Sequence, residues 1–175
     1  SIDGSTMTTH TNDCGECDFR LAKVNPKQYD NGSKRSIYTF YSAYTKVVRD
    51  DDRSFTWSRE NLDKTLDHDM LREWTSGSFH HINGYIDQVN STYGIVEGIY
   101  GIMNDQQLAI GESTCGGKFW SKPIYAGGSA LFEIAELSQI ALERCRTARC
   151  AIELMGELAE KYGYYGASWD DNDIQ

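Results

Sequence analysis

A run of polar side chains ends the second of two predicted strands near the middle of the chain. The segment 100–117 (YGIMNDQQLAIGESTCGG) is typical of two strands joined by a tight polar turn at 104–105. The apolar run 108–110 leads directly into four side chains that can do chemistry: Glu112, Ser113, Thr114 and Cys115. The two glycines that follow let other backbone approach closely, which leaves these groups available to a substrate. The pattern favours an enzyme over a plain binding module.

Length and composition are those of about one globular domain. The 175 residues are 39% hydrophobic and 25% charged, which is ordinary for a chain with a real core. The net charge is −9 and the 17 basic residues form no sustained stripe, so nucleic acid is not expected as a partner. No apolar run approaches the roughly 20 residues of a membrane span, and no membrane partner or cofactor is expected. The sequence does not decide the compartment. The alternatives are the cytoplasm and, if a leader precedes the chain, a secretory or vacuolar route.

The five cysteines leave the redox state open, because an odd count argues against a fully paired disulfide framework. Cys14 and Cys17 form a CGEC pair that fits a disulfide, half of a zinc site or two free thiols. No second CxxC and no His pair at finger spacing accompanies this pair, so no bound metal is expected. Cys145 and Cys150 flank a predicted break between two helices and are interpreted as small core hydrophobes.

The N-terminal half contains two segments of different character. Residues 1–24 carry a turn at Asp3 and Gly4, then a strand (STMTTHTND), the CGEC loop and a short strand (FRLAKV). Residues 25–80 are polar and irregular, with a short helix predicted over 61–74. We interpret this second segment as a polar insertion over the core.

The C-terminal half is predicted to end in two helices. The first covers 129–145 with Ser129 as its N-cap, and the second starts after Thr147 and ends with Gly163 as the C′ residue. The second helix has an apolar inner face formed by Ala151, Met155, Leu158, Ala159 and Tyr162. We expect an antiparallel pair of core helices across one face of a sheet, without chemistry of their own. Strands, then a hairpin, then two helices describe an α+β layered domain.

Four stretches of the chain resemble the cysteine dipeptidases of the N-terminal-nucleophile hydrolase superfamily, the group that contains bacterial dipeptidase A and the secernins. They are DGSTMTTHTNDCGECDFRL, INGYIDQVNSTYG, YGIMNDQQLAIGESTCG and ALFEIAELSQIALERCRTARCAIELMGELAEKYGYYG. The resemblance implies a four-layer αββα sandwich and hydrolysis of dipeptides or short peptides. Residues 1–175 would then be part of a single domain, truncated at both ends, that supplies the N-terminal strands, the hairpin and the first helix pair.

The resemblance also implies a nucleophile that lies outside this chain. In this family the nucleophile is a cysteine that becomes the first residue of the mature chain, and it would lie upstream of Ser1. A thiol with a pKa near 8.5 and a terminal amine with a pKa near 7.7–8.0 exchange a proton almost evenly, so one residue can supply both nucleophile and base. Ser1 is not expected to take this role, because Ile2, Asp3 and Gly4 place it in a turn.

The resemblance places helper residues on the strand after the Asp3-Gly4 turn. If that strand runs back beside the nucleophile strand, residues 10–13 return to the missing cysteine. His10 takes the position of an Arg in related hydrolases and would orient a substrate carboxylate, with Asn12 beside it. Asp13 aligns with an Asp that would accept a hydrogen bond from the α-amine. The structural alternative for Asp13 is an Asx turn that opens the CGEC loop.

The end of the hairpin is the second predicted part of the site. Thr114 corresponds to a residue that supplies an oxyanion donor in the broader superfamily, where some relatives have Asn, so a backbone N–H is the alternative donor. Glu112 suits recognition of the ammonium group of a dipeptide, and its structural alternative is an ion pair with Arg20 or Lys118. Cys115 is placed on the substrate-binding side, because nothing next to it in sequence could activate it as a nucleophile.

Three functions follow from these patterns. The leading one is a cysteine-type dipeptidase that acts on small peptide substrates. The second is a secernin-like protein that keeps the fold and acts through protein partners without catalysis. The third is a small zinc or redox module built on CGEC. Neither the substrate preference nor the oligomeric state can be read from the sequence.

Overall fold

The computed structural model describes residues 2–9, 22–38, 82–97, 101–113 and 121–166. In these ranges the chain is mixed α+β, as predicted, with small antiparallel sheets and two α-helices. The strands are β1 (Ala22–Val24), β2 (Lys27–Gln28), β3 (Lys34–Tyr38), β4 (Ile82–Asp87), β5 (Ser91–Thr92), β6 (Ile95–Glu97) and β7 (Gly101–Asn104). A 3-10 turn (Ile124–Ala126) precedes the helices α1 (Ile134–Arg144) and α2 (Ala148–Tyr162).

The first six strands form one long antiparallel ribbon with interruptions. β1 pairs with β6, β2 with β5 and β3 with β4, so that 22–38 runs back along 82–97 over its whole length. Part of the segment predicted as an insertion over the core is therefore a pairing partner of the core strands. Ile37 of β3 is fully buried and lies in a core cluster with Ile86 of β4. The rest of that segment, including the predicted helix over 61–74, lies outside the described residues.

The predicted hairpin is confirmed in 101–110. β7 pairs with β6 on one side, and on the other side the chain folds back on β7 through a bridge between Met103 and Ala109. The N–H of Asn104 donates to the carbonyl of Leu108 at 2.9 Å, and the N–H of Ile110 donates to the carbonyl of Ile102 at 3.0 Å. The polar turn therefore brings the strand that leads to Glu112 back along β7.

The turn predicted at Asp3 and Gly4 is also present. Gly4 has a φ of 79°, and the Asp3 carboxylate accepts from the N–H of Ser5 at 3.0 Å. The strand predicted to follow does not form in residues 5–9. In that stretch the N–H of Thr6 donates instead to the side-chain carbonyl of Gln107 at 2.9 Å, which links the N-terminal segment to the tip of the hairpin.

The first helix begins later than predicted, and Ser129 is not its N-cap. Glu133 caps it, because its carboxylate accepts from the N–H groups of Ala135 at 2.7 Å and Glu136 at 2.8 Å. The residues before Glu133 are held extended by tertiary contacts. Asn83 of β4 donates from Nδ2 to the carbonyls at positions 130 and 131, and Phe132 forms a parallel bridge with Tyr164. These contacts replace the helical hydrogen bonds that local propensity favours.

The second helix agrees with its prediction at both ends. The Thr147 hydroxyl accepts from the N–H of Cys150 at 3.3 Å, and Gly163 ends the helix with a φ of 80°. Its predicted inner face packs on the core. The interpretation of the flanking cysteines was wrong, because Cys145 and Cys150 form a disulfide across the turn between the helices. The three-residue link brings the end of α1 and the first turn of α2 close enough for the bond.

Helix α1 is the centre of the described part of the molecule. All its residues from 135 to 143 are buried, and it lies against α2 and the strands β5, β6 and β7. Its apolar residues divide between two core clusters: Leu137 and Ile140 in the first, Ala141 and Leu142 in the second. It also buries Glu136, Gln139 and Glu143, so it is not the plain apolar helix that the sequence suggested. No helix among the described residues is long and apolar enough to cross a membrane.

Candidate active site

Glu112 is the one predicted site residue that the structure describes. It lies two residues beyond Ile110, where the returning strand of the hairpin leaves its pairing with β7, and it is half-buried. Burial raises the pKa of the neighbouring Tyr164, and the charges of Glu133 and Glu112 raise it further. Glu112 at the end of the hairpin and Glu133 at the N-cap of α1 therefore both lie within electrostatic reach of Tyr164, which follows the end of α2.

Two carboxylates act on the Tyr164 phenol, and they differ in how exposed they are. Glu112 and Glu133 bring two carboxylates within electrostatic reach of a phenol ring that is 40% exposed. Glu133 is fully buried and its oxygens accept from the first turn of α1, so its charge is committed to the helix. Glu112 is the more accessible of the two carboxylates.

The hairpin that presents Glu112 is fastened to α1 by Asn104, which is 5% exposed. Its Oδ1 accepts from the N–H groups of Gln106 at 3.1 Å and Leu108 at 2.9 Å, which closes the polar turn. Its Nδ2 donates to the carbonyls of Leu142 at 2.9 Å and Cys145 at 2.7 Å, at the end of α1. One side chain thus joins the turn to the helix.

A buried ionic network joins α1 to the ribbon. Arg35 of β3 donates from Nη1 to Glu136 at 2.6 Å and from Nη2 to Glu143 at 3.0 Å. Burial lowers the pKa of the Arg35 guanidinium, but the two carboxylates outweigh burial and the net shift is upward. Between these two glutamates on the helix, Gln139 donates to Glu97 at the end of β6. Both ends of the ribbon are therefore held to one helix by polar contacts.

The sequence reasoning missed these contacts. Asn104 was read only as a turn residue, and Arg35 fell in the segment taken for an insertion. A signal was present for the network, because Glu136, Gln139 and Glu143 recur at helical spacing on a helix that is otherwise mostly apolar. A polar stripe on a buried helix requires a partner, and Arg35 is that partner.

The other predicted site residues lie outside the described residues: His10, Asn12, Asp13, Thr114 and Cys115. The predicted meeting of Asp13 with Thr114 therefore stays a prediction. The same holds for the CGEC pair and for an ion pair of Glu112 with Arg20 or Lys118. Within the described ranges, no group of three or more His, Cys, Asp or Glu side chains could hold a metal ion.

Comparison with known proteins places the chain among the peptidases. A family model described as "Peptidase family C69" matches residues 1–172. The chain therefore belongs to peptidase family C69, which includes dipeptidase A and secernin-like proteins, and the resemblance noted in the sequence is confirmed. Searches of curated proteins and of solved structures found no match to the chain.

Proposed function

We propose that this chain is part of a cysteine-type dipeptidase that hydrolyses dipeptides or short peptides with an N-terminal cysteine nucleophile upstream of Ser1. The observation that carries the proposal is the match to a peptidase family over residues 1–172. We further propose that the complete domain is an N-terminal-nucleophile αββα sandwich. The antiparallel ribbon covered by α1 and α2 is compatible with one sheet and one helical layer of it.

In the proposed reaction the terminal cysteine supplies both the nucleophile and the base. Its amine takes the thiol proton, and the thiolate attacks the peptide carbonyl. The carbonyl carbon becomes tetrahedral, and its oxygen needs hydrogen-bond donors, a role we assign to Thr114 or to its backbone N–H. The protonated amine then gives its proton to the leaving amino group, and water hydrolyses the thioester. Asp13 accepts a hydrogen bond from the terminal amine and holds it toward the thiol.

Substrate recognition is assigned to the residues around these two groups. Glu112 binds the free ammonium group of the peptide, and its half-buried position beside Tyr164 supports this role, because a partly dry setting strengthens a charge-assisted hydrogen bond. His10 and Asn12 orient the substrate carboxylate, and Cys115 lines the same pocket. A site with opposite charges at its two ends selects a peptide whose termini lie close together, which means a dipeptide.

The test uses the full-length protein with its native amino terminus. Released amino acids are measured with a panel of dipeptides, for the wild type and for the Cys→Ala variant of the terminal nucleophile. We expect turnover in the wild type and its loss in the variant. Lys34→Met is the control, because it changes an exposed residue with no role in the proposed site and should leave turnover in place.

A folded wild-type protein that releases no amino acid from any dipeptide would contradict the proposal. That result would favour the secernin-like alternative, in which the same fold acts through protein partners. Turnover that survives the terminal Cys→Ala substitution would contradict the assigned nucleophile while leaving a peptidase in place.

A further inference from the structure

We infer that Asn104 is a positioning residue for Glu112, and through it for selection of peptides with a free amino terminus. The inference rests on the proposed function, since it assigns Glu112 to the substrate ammonium group. Asn104 itself does not contact the substrate in this assignment. It acts by holding the strand that ends at Glu112 against helix α1.

Both polar atoms of the Asn104 side chain are hydrogen-bonded. A buried asparagine that only closes a turn needs its side-chain oxygen, and here that oxygen accepts from Gln106 and Leu108. The amide nitrogen is used as well, in two short bonds to the carbonyls of Leu142 and Cys145. Those two carbonyls belong to the last turn of a helix, where they lack partners within the helix. The Asn104 amide therefore provides hydrogen-bond partners both for the carbonyls at the end of α1 and for the N–H groups of the turn.

Backbone pairing continues from the Asn104 turn almost to Glu112. Asn104 holds the N–H of Leu108, whose side chain is buried in the second core cluster with Leu142. From there the strand is paired through the Met103–Ala109 bridge and the bond from Ile110 to Ile102. Glu112 is two residues past the last of these bonds, so its position depends on the register that they define.

The end of α1 to which Asn104 is bonded is itself held in place. Cys145 is 1% exposed, its carbonyl accepts from Asn104, and its sulfur is bonded to Cys150 in the first turn of α2. The acceptor for the hairpin is thus fixed by a covalent bond and by a buried helix. A shift of the hairpin relative to α1 requires the Asn104 bonds to break.

The variant Asn104→Asp separates the two halves of this role. A carboxylate keeps an oxygen for the turn N–H groups but places a second oxygen against the carbonyls of Leu142 and Cys145, where no donor remains. The attachment to α1 is lost while the turn acceptor stays. Asn104→Ser is a second variant that removes the reach to the helix without adding charge.

The experiment measures the ratio of the kcat/KM values for two substrates. This ratio does not depend on how much of the enzyme is folded. We compare kcat/KM for a dipeptide with that for its des-amino analogue, for example alanyl-leucine and propionyl-leucine. Glu112→Gln should lower this ratio by about tenfold or more, because a charge-assisted hydrogen bond is lost. Asn104→Asp and Asn104→Ser should lower it by at least about fivefold, since a displacement of about 1 Å can cost up to 100-fold. Ile37→Ala, a cavity variant in the other core cluster, should leave the ratio within about twofold.

The outcomes separate this inference from the proposed function. A reduced ratio in both Asn104 variants, with an unchanged ratio in Ile37→Ala, supports the positioning role. An effect of Glu112→Gln without an effect of the Asn104 variants overturns that role and leaves the proposed function standing. Equal effects of Ile37→Ala and Asn104→Asp on the ratio overturn it as well, because any change in core packing would then alter substrate selection. A wild type that cleaves neither compound overturns the proposed function, and with it the role of Glu112 that this inference requires.

Discussion

The guanidinium of Arg35 and the carboxylate of Glu136 lie 2.6 Å apart in the interior, where Arg35 is 5% exposed and Glu136 is fully buried. They come from β3 and α1, elements about a hundred positions apart in sequence. Glu143, about two turns of the helix beyond Glu136, completes the pairing at 3.0 Å. One strand residue therefore pairs with two carboxylates on the face of α1 that meets the ribbon.

Removal of this arginine should be strongly destabilising. In Arg35→Met two buried carboxylates lose their cationic partner, and we expect the free energy of unfolding to fall by about 3–5 kcal/mol in urea denaturation. Lys34→Met is the matched control on the neighbouring residue, whose partner Asp87 is exposed, and it should leave the free energy of unfolding nearly unchanged. Equal effects of the two variants would show that burial of the Arg35 pair does not matter.

Two glycines of α2 should respond to alanine in opposite directions. Gly163 has a φ of 80°, and an added Cβ would lie 2.9 Å from Cα of Ala130, so Gly163→Ala should lower the melting temperature. Gly156 lies inside the helix with nothing within 4 Å of an added Cβ, and Gly156→Ala should stabilise by about 0.5–1 kcal/mol. Thermal unfolding followed by circular dichroism measures both. A stabilising Gly163→Ala would contradict the conformation at the helix end.

Loss of the disulfide should cost about 2 kcal/mol in the free energy of unfolding, the chain-entropy value for a loop this short. The variant is Cys145→Ser with Cys150→Ser, compared with the oxidised wild type by urea denaturation. Mass spectrometry of peptides from the unreduced protein checks the bond itself. Alkylation of both cysteines in the folded, unreduced protein would contradict the pairing.

Titration of Tyr164 tests its proximity to Glu112. Burial, Glu133 and Glu112 raise the pKa of Tyr164 above its ordinary value of 10.0, so the folded state favours the neutral phenol. The unfolded chain then releases this proton first, and the stability associated with Tyr164 is present below pH 10 and lost as the pH rises through the folded pKa. Glu112→Gln should move the titration to lower pH in tyrosine-selective NMR, with Tyr164→Phe to assign the signal. No movement would place Glu112 out of reach of the phenol.

Asp13→Asn in the complete protein should reduce dipeptide turnover far more than it reduces stability. Asparagine keeps the shape but weakens the hydrogen bond to the terminal amine, on which the proposed proton transfer depends. Turnover and melting temperature are measured on the same preparations, and Thr11→Ala shows the effect of a nearby change at a residue with no assigned role. Parallel losses of activity and stability in Asp13→Asn would mean that the residue closes an Asx turn.

Local sequence was sufficient for those elements whose hydrogen bonds are local. Thr147 and Gly163 bound α2 as predicted, because a cap bonds to the backbone within one helical turn. The hairpin turn was also predictable from its polar residues. The start of α1 was not, since the backbone of residues 130–132 is bonded to Asn83 and to the segment that ends and follows α2, which are distant in sequence.

The sequence by itself determined the family, the mixed α+β class, the hairpin that leads to Glu112 and the second helix with both its ends. Only the tertiary structure decided that 22–38 pairs with 82–97, that Arg35 is buried against α1, that Asn104 joins the hairpin to the helix, and that Cys145 bonds to Cys150. The physical reason is that a buried polar group is stable only beside a partner. The partners of Arg35 and Asn104 come from distant parts of the chain, which periodicity and spacing cannot bring together.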